Sequence, residues 1–225
     1  MSGARPTRLT IDIWSDVMCP WCLVGWGNLQ RALGQLREEI AAEVRWRPFE
    51  LNPAMPAEGE EATAHIARKY GRTPAQADAM RRRMSEAARA AGVSLDYEGP
   101  EPAPPAMLWN TFPAHRLLAW AGEDFGSERQ TAIKLALFRA HWNQRRRIGE
   151  DAVLLDVAEE AGFDRTAAAA TLDSPDYAAR VRADEQAAYG MNITGVPAII
   201  VADRLMIPGA QPPDAYVAAL RRLAR

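Results

Sequence analysis

Of 225 residues only two are cysteine and three are histidine, and the cysteines stand together as Cys19 and Cys22. A secreted scaffold stapled by disulfides needs more cysteines, spread along the chain. A Cys19–Cys22 bridge closes a very short loop and adds only about 2 kcal/mol in the chain-entropy picture. The pair therefore reads as chemistry rather than as a staple. Charge of one sign is missing too. Lys and Arg number 27 against 29 Asp and Glu, a formal net charge of −2, so no overall field draws the chain to nucleic acid or to an anionic membrane. No run approaches the roughly 18 consecutive apolar residues of a membrane span. The apolar stretch Leu9–Trp14 is short and interrupted by Asp12, unlike a signal-peptide core. The expectation is a cytoplasmic protein without membrane or nucleic-acid partners. Zinc would need two ligands besides the cysteines, and His65, His115 and His141 lie far apart in sequence, unlike the spacing of a zinc module. Nucleotide-binding glycine patterns and H-E-x-x-H are likewise absent, so metal and nucleotide chemistry have no support.

What is there is a clear order of elements. Residues 8–14 alternate apolar and polar, with Leu9, Ile11 and Ile13 on one face, the pattern of a half-buried strand. Residues 20–38 repeat Leu23, Trp26, Leu29, Leu33 and Leu36 at helical spacing, and Glu43–Glu50 reads as a second strand. Strand, helix, strand is a βαβ opening with parallel strands. Residues 60–190 are helical in pattern. Thr73-Pro74 with Gln76 predicts a capping box, closed at Gly92. Ser127 with Gln130 predicts another helix start, Asp151–Ala161 a helix ending at Gly162, and Ser174-Pro175 one that stops at Gly190. Strand signal returns in Pro197–Val201 and Arg204–Pro208 around Ala202-Asp203, a β-hairpin, followed by a helix from Asp214. The fold class is therefore α/β, a mixed βαβ–ββα sheet formed by 1–59 and 191–225, with an all-helical insertion over 60–190.

Cys19-Pro20-Trp21-Cys22 falls where strand passes into helix. Unsatisfied N–H groups and the macrodipole favour an anion there, so Cys19 is expected to ionise below the free-thiol value, near 8.5. Pro20 suits the first turn, and Cys22, one turn on, resolves a mixed disulfide by attacking Cys19. A C-x-x-C beside a βαβ unit reads as a thioredoxin-like redox site. Val196-Pro197 opens the apolar strand. It is either an ordinary strand start or a cis bond that sets the Val196 backbone beside Cys19, for an extended substrate to pair with. Trp21 is either rim packing or an exposed apolar contact for substrate. Asp16 opposes a nearby thiolate if it lies close to the sulfur and is otherwise a solvated or capping carboxylate. The runs Arg81–Arg83 and Arg145–Arg147 read as solvated helix faces or helix-end charges.

Four segments carry a family resemblance: Ser15-Asp16-Val17-Met18-Cys19-Pro20-Trp21-Cys22, Arg47-Pro48-Phe49-Glu50-Leu51-Asn52-Pro53, Gly195-Val196-Pro197-Ala198 and Gly209-Ala210-Gln211. Together they resemble the DsbA-like branch of the thioredoxin superfamily, and within it the FrnE-like cytosolic oxidoreductases. The resemblance implies a thioredoxin fold interrupted by a helical domain, Cys19 as nucleophile, Cys22 as resolving thiol, a cis-proline at Pro197, and protein or small-thiol disulfides as substrates. It implies no tightly bound cofactor. Kappa-class glutathione transferases and hydroxychromene-carboxylate isomerases look similar but carry serine where this chain has Cys19. By that likeness Asn52 and Gln211 are candidate glutathione contacts, and glutathione stays open as redox partner or co-substrate. A glutathione-dependent isomerase or transferase is the alternative reading. Relatives in this branch are often dimers, which leaves a homodimer open.

Overall fold

The computed structural model describes residues 5–224. Strand β1 (Thr7–Ser15) lies inside a four-stranded sheet of order β2-β1-β5-β6. Its Leu9, Ile11 and Ile13 enter one apolar cluster with Cys22, Leu29, Trp46, Phe138 and Tyr216. Alternation along the strand suggests a second, polar face, yet that face is covered as well. Trp14 packs there with Phe49, Ala188, Ile193 and Ile200, and buried Asp12 accepts a 2.6 Å hydrogen bond from Arg47 Nε. A strand inside a sheet clad on both sides loses the simple in-out alternation.

Helix α1 (Pro20–Gln35) returns the chain to β2 (Ile40–Pro48), parallel to β1 with Ile13 opposite Trp46. The helix stops before residue 38 because the Leu36 N–H turns to Ala32 O and Leu33 O. The second strand starts and ends earlier than Glu43–Glu50, since its pairing begins with Thr7 opposite Ile40 and Pro48 has no N–H to extend a ladder.

Strand β3 (Glu60–Glu61) pairs with β4 (Met107–Leu108) in a small separate ladder. Between them lie α2 (Ala62–Tyr70) and α3 (Pro74–Ala91). The Thr73–Gln76 capping box is present with both its hydrogen bonds, and Gly92 ends α3 at φ 80°. Helix α4 (Phe112–Trp142) is broken at Gly126, where φ is 83° and ψ 175°. A helical restart at Ser127 agrees with the sequence, but Gln130 does not serve as its cap. Its Oε1 accepts from Trp46 N–H at 2.8 Å, and its Nε2 donates to Trp46 O and Leu118 O at 2.9 and 3.0 Å. The side chain thus satisfies the open edge of β2 at Trp46.

Helices α5 (Asp151–Glu160), α6 (Arg165–Asp173) and α7 (Pro175–Gly190) complete the helical part. Its core gathers Leu117, Ile133, Leu137, Leu154, Val157 and Leu172. The second half of α4 serves two cores, because Ile133 and Leu137 face the helices while Phe138 faces the sheet. Of the arginine runs, Arg81 pairs with Asp78 on α3, and Arg146 follows α4 and binds Asp156 and Glu160. Strands β5 (Ala198–Val201) and β6 (Leu205–Pro208) form the hairpin, with β5 antiparallel to β1, and α8 (Pro213–Ala224) closes the described chain. Ala202 and Asp203 take φ of 51° and 54°, the left-handed pair that matches a hairpin's twist.

Candidate active site

Because β1 ends at Ser15 and Pro20 opens α1, Cys19 occupies the N-cap position with extended backbone. Cys22 N–H donates to Cys19 O at 3.1 Å, so both sulfurs share the first turn. Cys19 is 3% exposed and Cys22 0%, whereas Trp21 between them is 42% exposed. Of Trp21's two readings, the structure therefore supports the surface one. Opposite the dithiol the Val196–Pro197 bond is cis, and Cys19 Sγ lies 3.5 Å from Val196 O. A Cβ built on Gly25 would stand 3.1 Å from Pro197 Cγ, so the bare glycine lets α1 press this closely on that turn. A second cis bond, Glu101–Pro102, lies in the loop before β4.

The acidity differs from the sequence expectation. The adjacent Cys22 sulfur, then burial, then the charge of Asp16 hold the Cys19 proton well above the ordinary thiol value. For Cys22 burial acts upward, but Cys19, the Ser15 hydroxyl and the Lys134 charge outweigh it and bring the thiol down. Burial and the Asp16 charge thus oppose the Cys19 anion that the helix terminus favours.

Asp16 is fully buried rather than solvated. Burial pushes its carboxyl up, yet the His115 ring, whose Nε2 stands 3.8 Å from Oδ1, and the Leu51 N–H outweigh that and leave it ionised below its usual range. Asp16 accepts from Met18 N–H at 3.3 Å and Leu51 N–H at 2.7 Å, which ties the cysteine turn to the loop carrying Glu50 and Asn52. Asn52 Oδ1 accepts from Lys69 Nζ at 2.6 Å. Gln211 is turned to the end of β6, donating to Pro208 O at 2.7 Å while its own carbonyl accepts from Asn28. Pro20, Trp21, Val196 and Pro197 surround the cysteines in sequence or space, while Asn52 and Gln211 are each engaged with other partners. Among the described residues no cluster of His, Cys, Asp and Glu suits a metal ion, and no helix is long and apolar enough to cross a membrane. A cleft of about 290 Å³ beside β2 is lined by Trp46, Arg47, His115, Gln130, Arg180 and Asp184, but by neither cysteine.

Sequence reading missed two buried charge sites. Lys134 is one, and its signal was a single cation in the run Ile133–Phe138, four residues before an aromatic core position. The other is Glu50, whose carboxylate shares Arg182 with Glu185. Burial drives the Glu50 carboxyl up to about 7 against the pull of Arg182. Its folded value lies above the unfolded one, so the stability it contributes is complete below about 4.5 and fades as pH rises toward 7. The unfolding free energy of the wild type relative to Glu50→Gln should decline across that interval, and a carboxyl ¹³C titration near 7 should vanish in the variant. A Glu50 midpoint near 4 would contradict this.

The described fold has known counterparts. The DSBA-like thioredoxin domain family matches residues 10–221. A probable DsbA oxidoreductase from Streptomyces coelicolor is similar at 32% identity and a TM-score of 0.84, over 95% of this chain and 89% of that one. The uncharacterized protein YwbO of Bacillus subtilis (strain 168) is 26% identical over 213 residues, 93% of this chain and 94% of the relative. The fold is also that of the cytosolic disulfide reductase DsbM from Pseudomonas aeruginosa, solved with GSH, at 19% identity and a TM-score of 0.58 over 95% and 98% of the two chains. Matched along nearly its whole length, the chain belongs to the DSBA-like thioredoxin domain family of disulfide oxidoreductases and isomerases.

Proposed function

We propose that this chain is a cytoplasmic thiol–disulfide oxidoreductase of the FrnE-like branch, with Cys19 as nucleophile and Cys22 as resolving thiol. The observation that carries the reading is the 3.5 Å approach of Cys19 Sγ to Val196 O at the start of a helix. Cys19 is the sulfur nearer the surface, so it meets the substrate. The proton moves toward Cys22, and the anion on Cys19 is met by the N–H groups of the first turn. The thiolate attacks one sulfur of a substrate disulfide, the substrate bond breaks, and the departing sulfur takes a proton from solvent. Cys22 then gives up its proton and attacks Cys19 Sγ, the mixed disulfide breaks, and the second substrate sulfur leaves with the electron pair and takes up a proton. The protein loses two electrons and the substrate gains them; run backwards, the cycle oxidises a dithiol.

Val196 backbone, Pro197, Pro20 and exposed Trp21 hold the substrate in this reading, and residues 60–190 form the helical domain beside the sheet-bearing segments 1–59 and 191–225. Glutathione enters as a redox partner, as the DsbM likeness suggests, with Asn52 and Gln211 as its contacts; each would exchange a present hydrogen bond for one to the ligand.

Titration against glutathione redox buffers, with alkylated species read by intact mass, tests the proposal. A single two-electron step between dithiol and internal disulfide is expected. Its midpoint would fall toward the reductant end, about −270 mV, or the oxidant end, about −120 mV. A persistent single glutathione adduct with no internal disulfide would instead favour a glutathione-dependent isomerase or transferase.

A further inference from the structure

Among 27 basic residues only two are lysines, Lys69 and Lys134; every other cation is arginine. Lys134 is 0% exposed, and its Nζ has no hydrogen-bond partner. It stands 5.2 Å from the centroid of the Trp46 ring on β2 and 4.8 Å from that of Phe138 on its own helix. Those rings belong to the same apolar cluster as Cys19 and Cys22. Burying an ammonium without a partner is costly, and an apolar side chain of similar volume would pack there at lower cost. Such an expense points to a charge the site uses.

The acids whose charges act on Lys134 are Cys22 in α1, Cys19 at its N-cap and Asp16 in the turn before it. Asp16 already accepts from two backbone N–H groups and stands beside His115. Cys22 shares the apolar cluster of Trp46 and Phe138, the rings that Lys134 stands over, and it has no exposure to water that could stabilise an anion. We propose that Lys134 is a positioning residue, the buried counter-charge of the Cys22 thiolate, which favours the resolving half of disulfide exchange. The proposal rests on the dithiol reading above. In the step concerned Cys22 gives its proton to solvent, its sulfur attacks Cys19 Sγ, and the bond from Cys19 to substrate breaks. The substrate sulfur leaves with the electron pair and is protonated by water. Lys134 keeps its hydrogens throughout. Burial lowers the Lys134 ammonium to about 8, so the charge is in place at neutral pH.

The test isolates Cys22 in a Cys19→Ser background and follows its ionisation by ultraviolet thiolate absorbance, with circular dichroism as the folding check. Lys134→Met should reduce the thiolate population at neutral pH by about tenfold or more, the effect of removing an opposite charge from a buried site. Lys134→Arg should restore most of it. An unchanged Cys22 titration in folded Lys134→Met overturns the proposal. A second measurement uses the unaltered chain. Protein labelled with ¹³C-lysine carries two Cε signals, and oxidation of the dithiol should move the Lys134 midpoint down while leaving that of Lys69 in place. A Lys134 midpoint that ignores oxidation overturns the proposal even if both variants fail to fold. If no internal disulfide forms at all, the oxidoreductase reading fails, whereas the Cys22 titration still reports on Lys134 by itself.

Discussion

Cys19→Ser is expected to lower disulfide exchange by at least about a thousandfold, the scale on which enzymes lose activity when a nucleophile is removed. Cys22→Ser is expected to behave differently, keeping the first attack and accumulating a mixed disulfide on Cys19. The difference follows from placement. Both sulfurs lie on one helical turn, yet only Cys19 retains any exposure and contacts the Val196 carbonyl. Cys22 lies wholly inside the sheet-facing cluster, where it can reach Cys19 but not a bulky substrate. Intact mass after mixing each variant with a disulfide substrate reads both results. Retained turnover in Cys19→Ser would refute the assignment of roles. A trapped species attached to Cys22 in that variant would reverse it.

Gln130→Leu should cost about 3–5 kcal/mol in unfolding free energy, since each buried polar group left without a partner costs about 1–3 kcal/mol. One amide serves three backbone groups: Trp46 N–H, Trp46 C=O and Leu118 C=O. Leucine has similar volume but returns none of those hydrogen bonds. The loss should appear in urea unfolding as a lower midpoint at unchanged slope, the mark of altered stability without altered compactness. Gly122→Ala should act in the same direction, because its new Cβ would lie 2.6 Å from Gln130 Nε2. A loss below about 1 kcal/mol in Gln130→Leu would mean that water takes over the amide's role.

The features legible in the sequence were those made by neighbours along the chain. The Thr73–Gln76 capping box, the proline at the start of α1, the glycine that ends α3 and the Ala202-Asp203 turn each depend on residues within a few positions. The cysteine turn was legible for the same reason. What escaped depends on partners far apart. Gln130 looked like a cap because its sequence neighbour is Ser127, whereas its hydrogen bonds go to residue 46. Helix α6, with four consecutive alanines, offers little apolar periodicity to detect. The charges buried around the cysteines were not legible because a helix terminus is local, while Asp16, His115 and Lys134 gather beneath the turn only after α4 folds over the sheet. Glu50 and Arg182 are 132 residues apart, and neither announces the other.

The Gln130 amide also bears on how copies of this protein can meet. A sheet edge with free N–H and C=O groups invites another strand, in specific partners as in fibrils. At β2 the outward groups of Trp46 are already taken by Gln130, and Pro48 ends the strand without a donor. The opposite edge, β6, is four residues long and ends in Pro208. The Trp46–Pro48 end of β2 is therefore blunted against further pairing, and β6 offers only a short edge. A strand adding at the Trp46 end of β2 would first have to displace the Gln130 amide, so it meets a competitor there rather than free backbone.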